Sequence, residues 1–275
     1  MQTPPQLTDR AALTRNRHRA TRDALFLHDE AVFEVQERLS AVNRQFTAPA
    51  IITPFPEIWA DVLPGARLLP DDEVLDLQPE AHDLIIHAMG LHWANDPVGQ
   101  LVQCRRALRP DGLLLAFTLG GQTLHELRAS LAEAEAAVTG GLSPRVLPMA
   151  EIRDLGALLQ RAGLNLPVAD NFTRTASYRD LFHLMADLRA MGEASALMDR
   201  PRHFTRRAVM IAAAERYAAA FGQPDGRIPA TFEVICLTGW APHESQQKPL
   251  RPGSAVQRLE DALRAAQTPM TKKDG

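Results

Sequence analysis

Cysteine is scarce in this 275-residue chain. The two present, Cys104 and Cys236, lie far apart in sequence. They make neither a metal-ligand pair nor a disulfide framework, and they read as buried free thiols of a reducing compartment. Aromatic residues make up only 5 % of the chain, too few for the stacking platform of a single-strand binder. A formal net charge of −3 withholds the basic field that nucleic acid requires. No apolar run approaches the ~20 residues of a membrane-spanning helix. The opening MQTPPQLTDR has no apolar core of the secretory kind. These absences lead us to expect a cytoplasmic protein with no nucleic-acid partner and no integral membrane segment.

What is present is ordinary globular material, 45 % hydrophobic and 23 % charged, in a chain long enough to bury a substantial core. Arg15, Arg17, Arg19 and Arg22 are interleaved with Asp9, Asp23, Asp29 and Glu30. That mixture is too acidic for a transit peptide and reads as a solvated helix face. Apolar residues from Leu25 to Val42 recur at three- and four-residue steps, which predicts a helix over 24–46.

A short apolar burst, Ala50-Ile51-Ile52, then predicts a strand, and a helix of about two turns begins at Glu57 and stops at Pro64-Gly65. Arg67 to Leu69 suits another short strand. Asp83 to Ala88 is a continuous apolar run of strand length, as in strands covered on both faces. Asp96 and Pro97 open a helix to Leu108. Arg109 to Gly112 forms a turn, Leu113 to Leu119 a second buried strand, and Thr123 to Val138 a long helix. Such alternation predicts a parallel sheet with crossover helices. Beyond it come a helix over 150–162, strands over 165–169 and 172–177, helices over 178–191 and 205–221, a strand over 229–240, and a last helix over 255–265.

The stretch HDLIIHAMGLHWANDPVGQLVQCRRALRPDGLLLAF from His82 to Phe117 resembles the later motifs of class I S-adenosylmethionine-dependent methyltransferases. Its turn Leu108-Arg109-Pro110-Asp111-Gly112 matches theirs between helix and fifth strand. LGGQTLHELRASL, GGLSPRV, DLGALLQRAGL, MADLRAMGE, PATFEV and GWAPHESQQKPLRPGSA extend the likeness to Ala255, with a weaker echo in LTDRAALTRNR at Leu7 to Arg17. Together they resemble the methyltransferase-related family that includes the mitochondrial complex I assembly arginine hydroxylase and its bacterial relatives.

The resemblance implies an α/β, Rossmann-like fold with an N-terminal helical extension (1–46), a methyltransferase-like domain (47–255) and a C-terminal tail (256–275). It implies S-adenosylmethionine as cofactor, and methyl transfer or arginine hydroxylation on a protein side chain such as that of a complex I subunit. By position it assigns Thr53, Asp71, Asp72, His87, Ala88 and Met89 to the cofactor. His92, Trp93, Gly120, Gly121 and His243 fall to the substrate cleft.

One segment departs from the family. Where a glycine-rich loop should follow the first strand, the chain has Thr53-Pro54-Phe55-Pro56. Glycine serves there because a Cβ would keep backbone from ligand, and proline also removes N–H donors. Only Glu57 to Arg67 separates the loop from what reads as the third strand region, as if the second strand were shortened or deleted.

A second class of function therefore stands beside the enzyme: a methyltransferase-fold binding module or assembly chaperone without the cofactor. His82, His87 and His92, five apart, lack a zinc-motif spacing. His87 suits a hydrogen-bonded core position, and His92-Trp93 suits either a pocket or a packed corner. Gly120-Gly121 reads first as a strand-to-helix turn. The tail at His243 is either a solvated turn or a lid. No residue is marked as general base.

Overall fold

Strand β3 (His82–Ala88) is buried at every position, and its side chains divide between the two faces of a sheet. Leu84, Ile86 and Ala88 join one hydrophobic cluster, while Ile85 joins another. Alternate residues point to opposite faces, so a strand covered on both sides must be apolar throughout. Each such buried side chain stabilises the fold by roughly 1.5–3 kcal/mol. This description comes from a computed structural model, which describes residues 6–246.

The sheet has six strands in the order β2-β1-β3-β4-β6-β5. Their ranges are β1 (Pro49–Ile52), β2 (Arg67–Leu69), β3, β4 (Leu108–Leu119), β5 (Asn165–Tyr178) and β6 (Ile228–Trp240). The first four positions are parallel, and β6 runs antiparallel to both β4 and β5. This is a doubly wound, Rossmann-like sheet with one strand fewer on the β2 side. The expected loss of a strand unit shows directly, since β2 pairs with β1 and forms the edge. The order reverses between β1 and β3, and the crevice beyond their carboxyl ends is where such sheets bind ligands.

The helices are α1 (Arg10–Arg17), α2 (Phe26–Ala41), α3 (Pro56–Trp59), α4 (Pro97–Ala107), α5 (His125–Thr139), α6 (Ile152–Arg161), α7 (Leu181–Ala190) and α8 (Arg207–Phe221). Helices α2, α5, α7 and α8 cover one face of the sheet, and α4 and α6 cover the other. Asp96 caps α4 by accepting from the Gly99 N–H at 2.7 Å, as its sequence predicts.

Four expectations need correction. The turn at Arg109 to Gly112 lies inside β4, because Asp111 takes a left-handed backbone (φ 62°) and lets the ladder run on. The two strands over 165–177 are one, since β6 pairs along nearly the whole length of β5. Helix α3 is a single turn rather than two. Arg17 is not on a solvated face, because its side chain is only 10 % exposed.

The chain divides into Met1–Pro242 and His243–Gly275. The helical extension, α1 and α2, belongs to the same compact unit as the sheet. The expected helix over 255–265 lies outside the described residues.

Candidate functional site

Two recesses lie along the carboxyl edge of the sheet. A groove of about 530 Å3 sits beyond β1 and β2, lined by Arg10, Arg17, Thr53, Phe55, Asp71 and Asp72 among others. A cavity of about 300 Å3 lies beyond β4, walled by Leu119, Leu127, Leu188 and Phe232, with Trp93 and Glu193 among its polar features. The arginines Arg145, Arg189 and Arg200 also border it.

Glu193 owes its place to the end of α7. Gly192 adopts a left-handed backbone (φ 78°), and the Glu193 N–H donates to the Leu188 carbonyl at 2.9 Å. That is the bond of a glycine-terminated helix, and it turns the next side chain inward. Trp93 Nε1–H donates to Glu193 Oε2 at 2.7 Å, and His92 Nε2 lies 3.3 Å from the same oxygen. Burial alone would raise the Glu193 pKa. The attraction of His92 and Arg17 and the bonds from His92 and Trp93 outweigh it, holding the value at about 2. The result is a carboxylate held in its ionised form beside a largely apolar cavity.

At the end of β3 the chain turns sharply. Met89 is left-handed (φ 56°), and the Trp93 N–H donates to the Gly90 carbonyl at 3.1 Å. A non-glycine residue in that conformation stores strain. Here it swings His92 and Trp93 from the strand end toward Glu193.

The sequence-predicted residues fall into separate groups. Met89 reaches a small recess that it shares with Glu193 and His28, so Met89, His92 and Trp93 come together. Thr53, Asp71 and Asp72 line the other groove. Ala88 is buried in the core. His87 faces α4, with Nε2 2.7 Å from Gln100 Oε1, and burial lowers its pKa. Gln100 in turn donates to the Asp72 carbonyl at 3.0 Å.

Gly120 and Gly121 stand apart from both recesses. A Cβ on Gly120 would meet Ile235 and Glu233, and one on Gly121 would meet Glu151. Two carboxylates beside the turn make it a poor anion cradle. His243 belongs to the second unit, where its Nδ1 lies 2.7 Å from Ser245 Oγ. Among the described residues no group of three potential ligands could hold a metal ion.

The loop after β1 can be tested as a cofactor cradle by accounting for its N–H groups. Pro54 and Pro56 have none. The Thr53 N–H donates to the Leu69 carbonyl at 2.8 Å, and the Phe55 N–H donates to Thr53 Oγ1 at 3.1 Å. No loop N–H is left for a ligand. The Phe55 ring meets His28 edge-on at 5.0 Å, and Trp59 Nε1–H donates to His28 Nδ1 at 3.2 Å. Asp71 is fully engaged too. Arg17 Nη1 donates to both its oxygens, at 2.7 and 2.9 Å, and Arg10 donates to its carbonyl at 2.8 Å. As arranged, these residues do not fit S-adenosylmethionine in the manner of a glycine loop.

Arg10, Arg17 and Glu193 are the site residues that sequence reading passed over. Each lay in a quoted motif, LTDRAALTRNR or MADLRAMGE. The glycine before Glu193 was the available signal.

The sheet order and the switch point define a doubly wound, Rossmann-like fold. No family model matches the chain. Over 193 residues it is 38 % identical to the mitochondrial arginine-hydroxylase NDUFAF5 of Danio rerio, a match covering 70 % of this chain and 60 % of that protein. Over 172 residues it is 36 % identical to a malonyl-[acyl-carrier protein] O-methyltransferase of a Methylovorus strain, covering 62 % and 55 % respectively. The chain is similar to both, and it spans only 55–60 % of the length of these two relatives. Among solved structures, the YcgJ protein of Bacillus subtilis superposes with a TM-score of 0.47 at 11 % identity, over 78 % of this chain and 99 % of that one.

Proposed function

We propose that this protein acts on a protein side chain in the assembly of respiratory complex I, as an arginine-hydroxylase-like or methyltransferase-like enzyme. One observation carries the reading: an ionised, buried Glu193 stands on the wall of a largely apolar cavity at the carboxyl edge of the sheet, with Arg145 and Arg200 at its border tied to Glu135 and Asp9. A carboxylate there suits the cationic end of a long side chain, and the apolar walls suit its methylenes. S-adenosylmethionine is the cofactor that the methyltransferase relatives imply, and it would have to be held without N–H groups from the Thr53–Pro56 loop. The protein would work in the cytoplasm, in keeping with its two buried free thiols, Cys104 and Cys236. Among the described residues no helix is long and apolar enough to cross a membrane.

The test is incubation of the purified protein with complex I subunits, with and without S-adenosylmethionine, followed by peptide mass spectrometry. A methyl or hydroxyl increment on an arginine, lost in Glu193→Gln, supports the reading. Unmodified subunits that nonetheless co-purify with the protein would overturn it in favour of a binding module. The absence of free N–H groups in the Thr53–Pro56 loop favours that second reading.

A further inference from the structure

The cavity beyond β4 lies between two loops. Arg200, Pro201 and Thr205 line it from the loop before α8, and Pro144 to Leu147 line it from the loop after α5. Arg145 ties the loops together, donating to Thr205 Oγ1 at 2.8 Å and to Glu135 Oε1 at 2.6 Å. The rim they form carries charge of the opposite sign to Glu193.

The loop before α8 reads Asp199-Arg200-Pro201-Arg202-His203-Phe204-Thr205-Arg206, and Arg207 opens the helix. That is a basic run in a chain whose formal net charge is −3. Arg200 and Arg202 share one carboxylate, Asp9, at 2.9 and 3.7 Å. Arg206, Arg207 and the cavity-lining Arg189 are exposed, and they pair with no carboxylate among the described residues. The rim therefore has cationic groups to spare.

It also exposes apolar ones. Phe204 is fully exposed, Leu142 is 70 % exposed and Phe182 is 51 % exposed. Each stands within three residues of a side chain that lines the cavity, namely Thr205, Pro144 or Met185. Phe182, Met185 and Arg189 share one face of α7, being three and four residues apart. Single exposed apolar side chains need no explanation, but several bordering one opening mark a contact surface.

These charges set a problem for a cationic side chain bound for Glu193. The carboxylate attracts it, but the arginines of the rim repel it on the way. A segment that brings carboxylates of its own removes the repulsion and gains partners.

We infer that this rim is a docking surface for a protein segment whose inserted cationic side chain is flanked by acidic residues, with apolar ones beside them. Arg189, Arg206 and Arg207 receive the acids, and Phe204 and Leu142 meet the apolar flanks. The inference deepens the proposed function and rests on it for the cation at Glu193. The preference for acidic flanks rests on the arginines alone. An anionic lipid surface has the same charge, but Arg145 and Arg200 are fixed by bonds to Glu135 and Asp9. Such an ordered frame suits a peptide better than fluid headgroups.

The experiment is calorimetric titration of the purified protein with short peptides, at low and at high salt. One pair of peptides has a central arginine flanked by aspartates or by lysines, and a second pair has norleucine at the centre. The aspartate-flanked arginine peptide should bind about tenfold more tightly than the lysine-flanked one, and high salt should narrow the gap. Arg206→Glu combined with Arg207→Glu should abolish the preference. Both positions are exposed at the start of α8, where a carboxylate favours the helix, so an unchanged melting curve is expected of this variant. Phe204→Ser should weaken the peptides by a common factor and leave the preference for aspartate in place.

A preference for aspartate that survives norleucine at the centre would uphold the rim and sink the seat for arginine at Glu193. A preference for arginine over norleucine with no effect of the flanks would overturn the rim and leave the proposed function standing. Aspartate-flanked peptides that fail to bind would overturn it as well. Sedimentation with phosphatidylglycerol vesicles in that case would give the arginines to a lipid surface instead.

Discussion

The two ends of the sheet's carboxyl edge have met opposite fates. Beyond β1 and β2 a groove of about 530 Å3 remains, but its polar groups are spent within the chain: prolines interrupt the loop, Phe55, His28 and Trp59 pack behind it, and Arg17 sits on Asp71. Beyond β4 a cavity stays open around Trp93 and Glu193. The contrast shows that a doubly wound fold can lose a strand unit and its glycine loop while the rest of the cleft persists. The lost side is sealed by ion pairs and ring contacts, and the retained side holds a charged group poised beside space.

Breaking the seal should have the largest effect. Arg17→Ala leaves Asp71, only 5 % exposed at its side chain, without its main partner. Removing one member of a buried pair costs about 3–5 kcal/mol, so chemical denaturation should show a loss of that order. Arg17→Met combined with Asp71→Leu should recover most of it, since a buried pair adds little beyond a matched apolar one.

The two regions also titrate in different windows. Burial pushes His28 down to about 3, below its ordinary 6.5. A depressed pKa contributes stability that is complete above about 6.5 and is lost as pH falls toward 3. Glu193, held at about 2, contributes stability that is complete above about 4.5 and lost as pH falls to 2. That contribution is of order 3 kcal/mol. Denaturation profiles should therefore flatten between pH 6.5 and 3 in His28→Gln, and only below about 4.5 in Glu193→Gln.

A smaller effect is expected where the regions touch. A Cβ on Gly90 would lie 2.7 Å from Asp71 Oδ2, an atom that Arg17 prevents from yielding. Gly90→Ala should cost about 1–3 kcal/mol, and less in the Arg17→Met, Asp71→Leu background. A double-mutant cycle would measure the difference. The least effect belongs to Arg22→Ala. The Arg22–Asp29 pair is about half exposed, and its loss should leave the denaturation midpoint where it is in wild type.

How much of this was legible in the sequence follows the same division. The strands β3 and β6, the capped helix α4 and the missing strand unit were readable, because continuous apolar runs, Asp-Pro and the short spacing after Ile52 are local signals. The merger of β5 was not, because pairing with β6 decides it. Nor was the burial of Arg17. On its own helix it is one basic residue among four, and only the fold brings it to Asp71, 54 positions away. Of the candidate site, His92 and Trp93 were named for the cleft by their position after a strand, and Met89 for the cofactor. Glu193 needed the glycine turn of α7 to be read as a direction rather than an ending.

The measurement that tests the account most directly is a crystal structure of the protein grown with S-adenosylhomocysteine. The account predicts Arg17 still on Asp71 and no ligand between the ends of β1 and β3. A nucleoside seated there with the Arg17–Asp71 contact intact would contradict it.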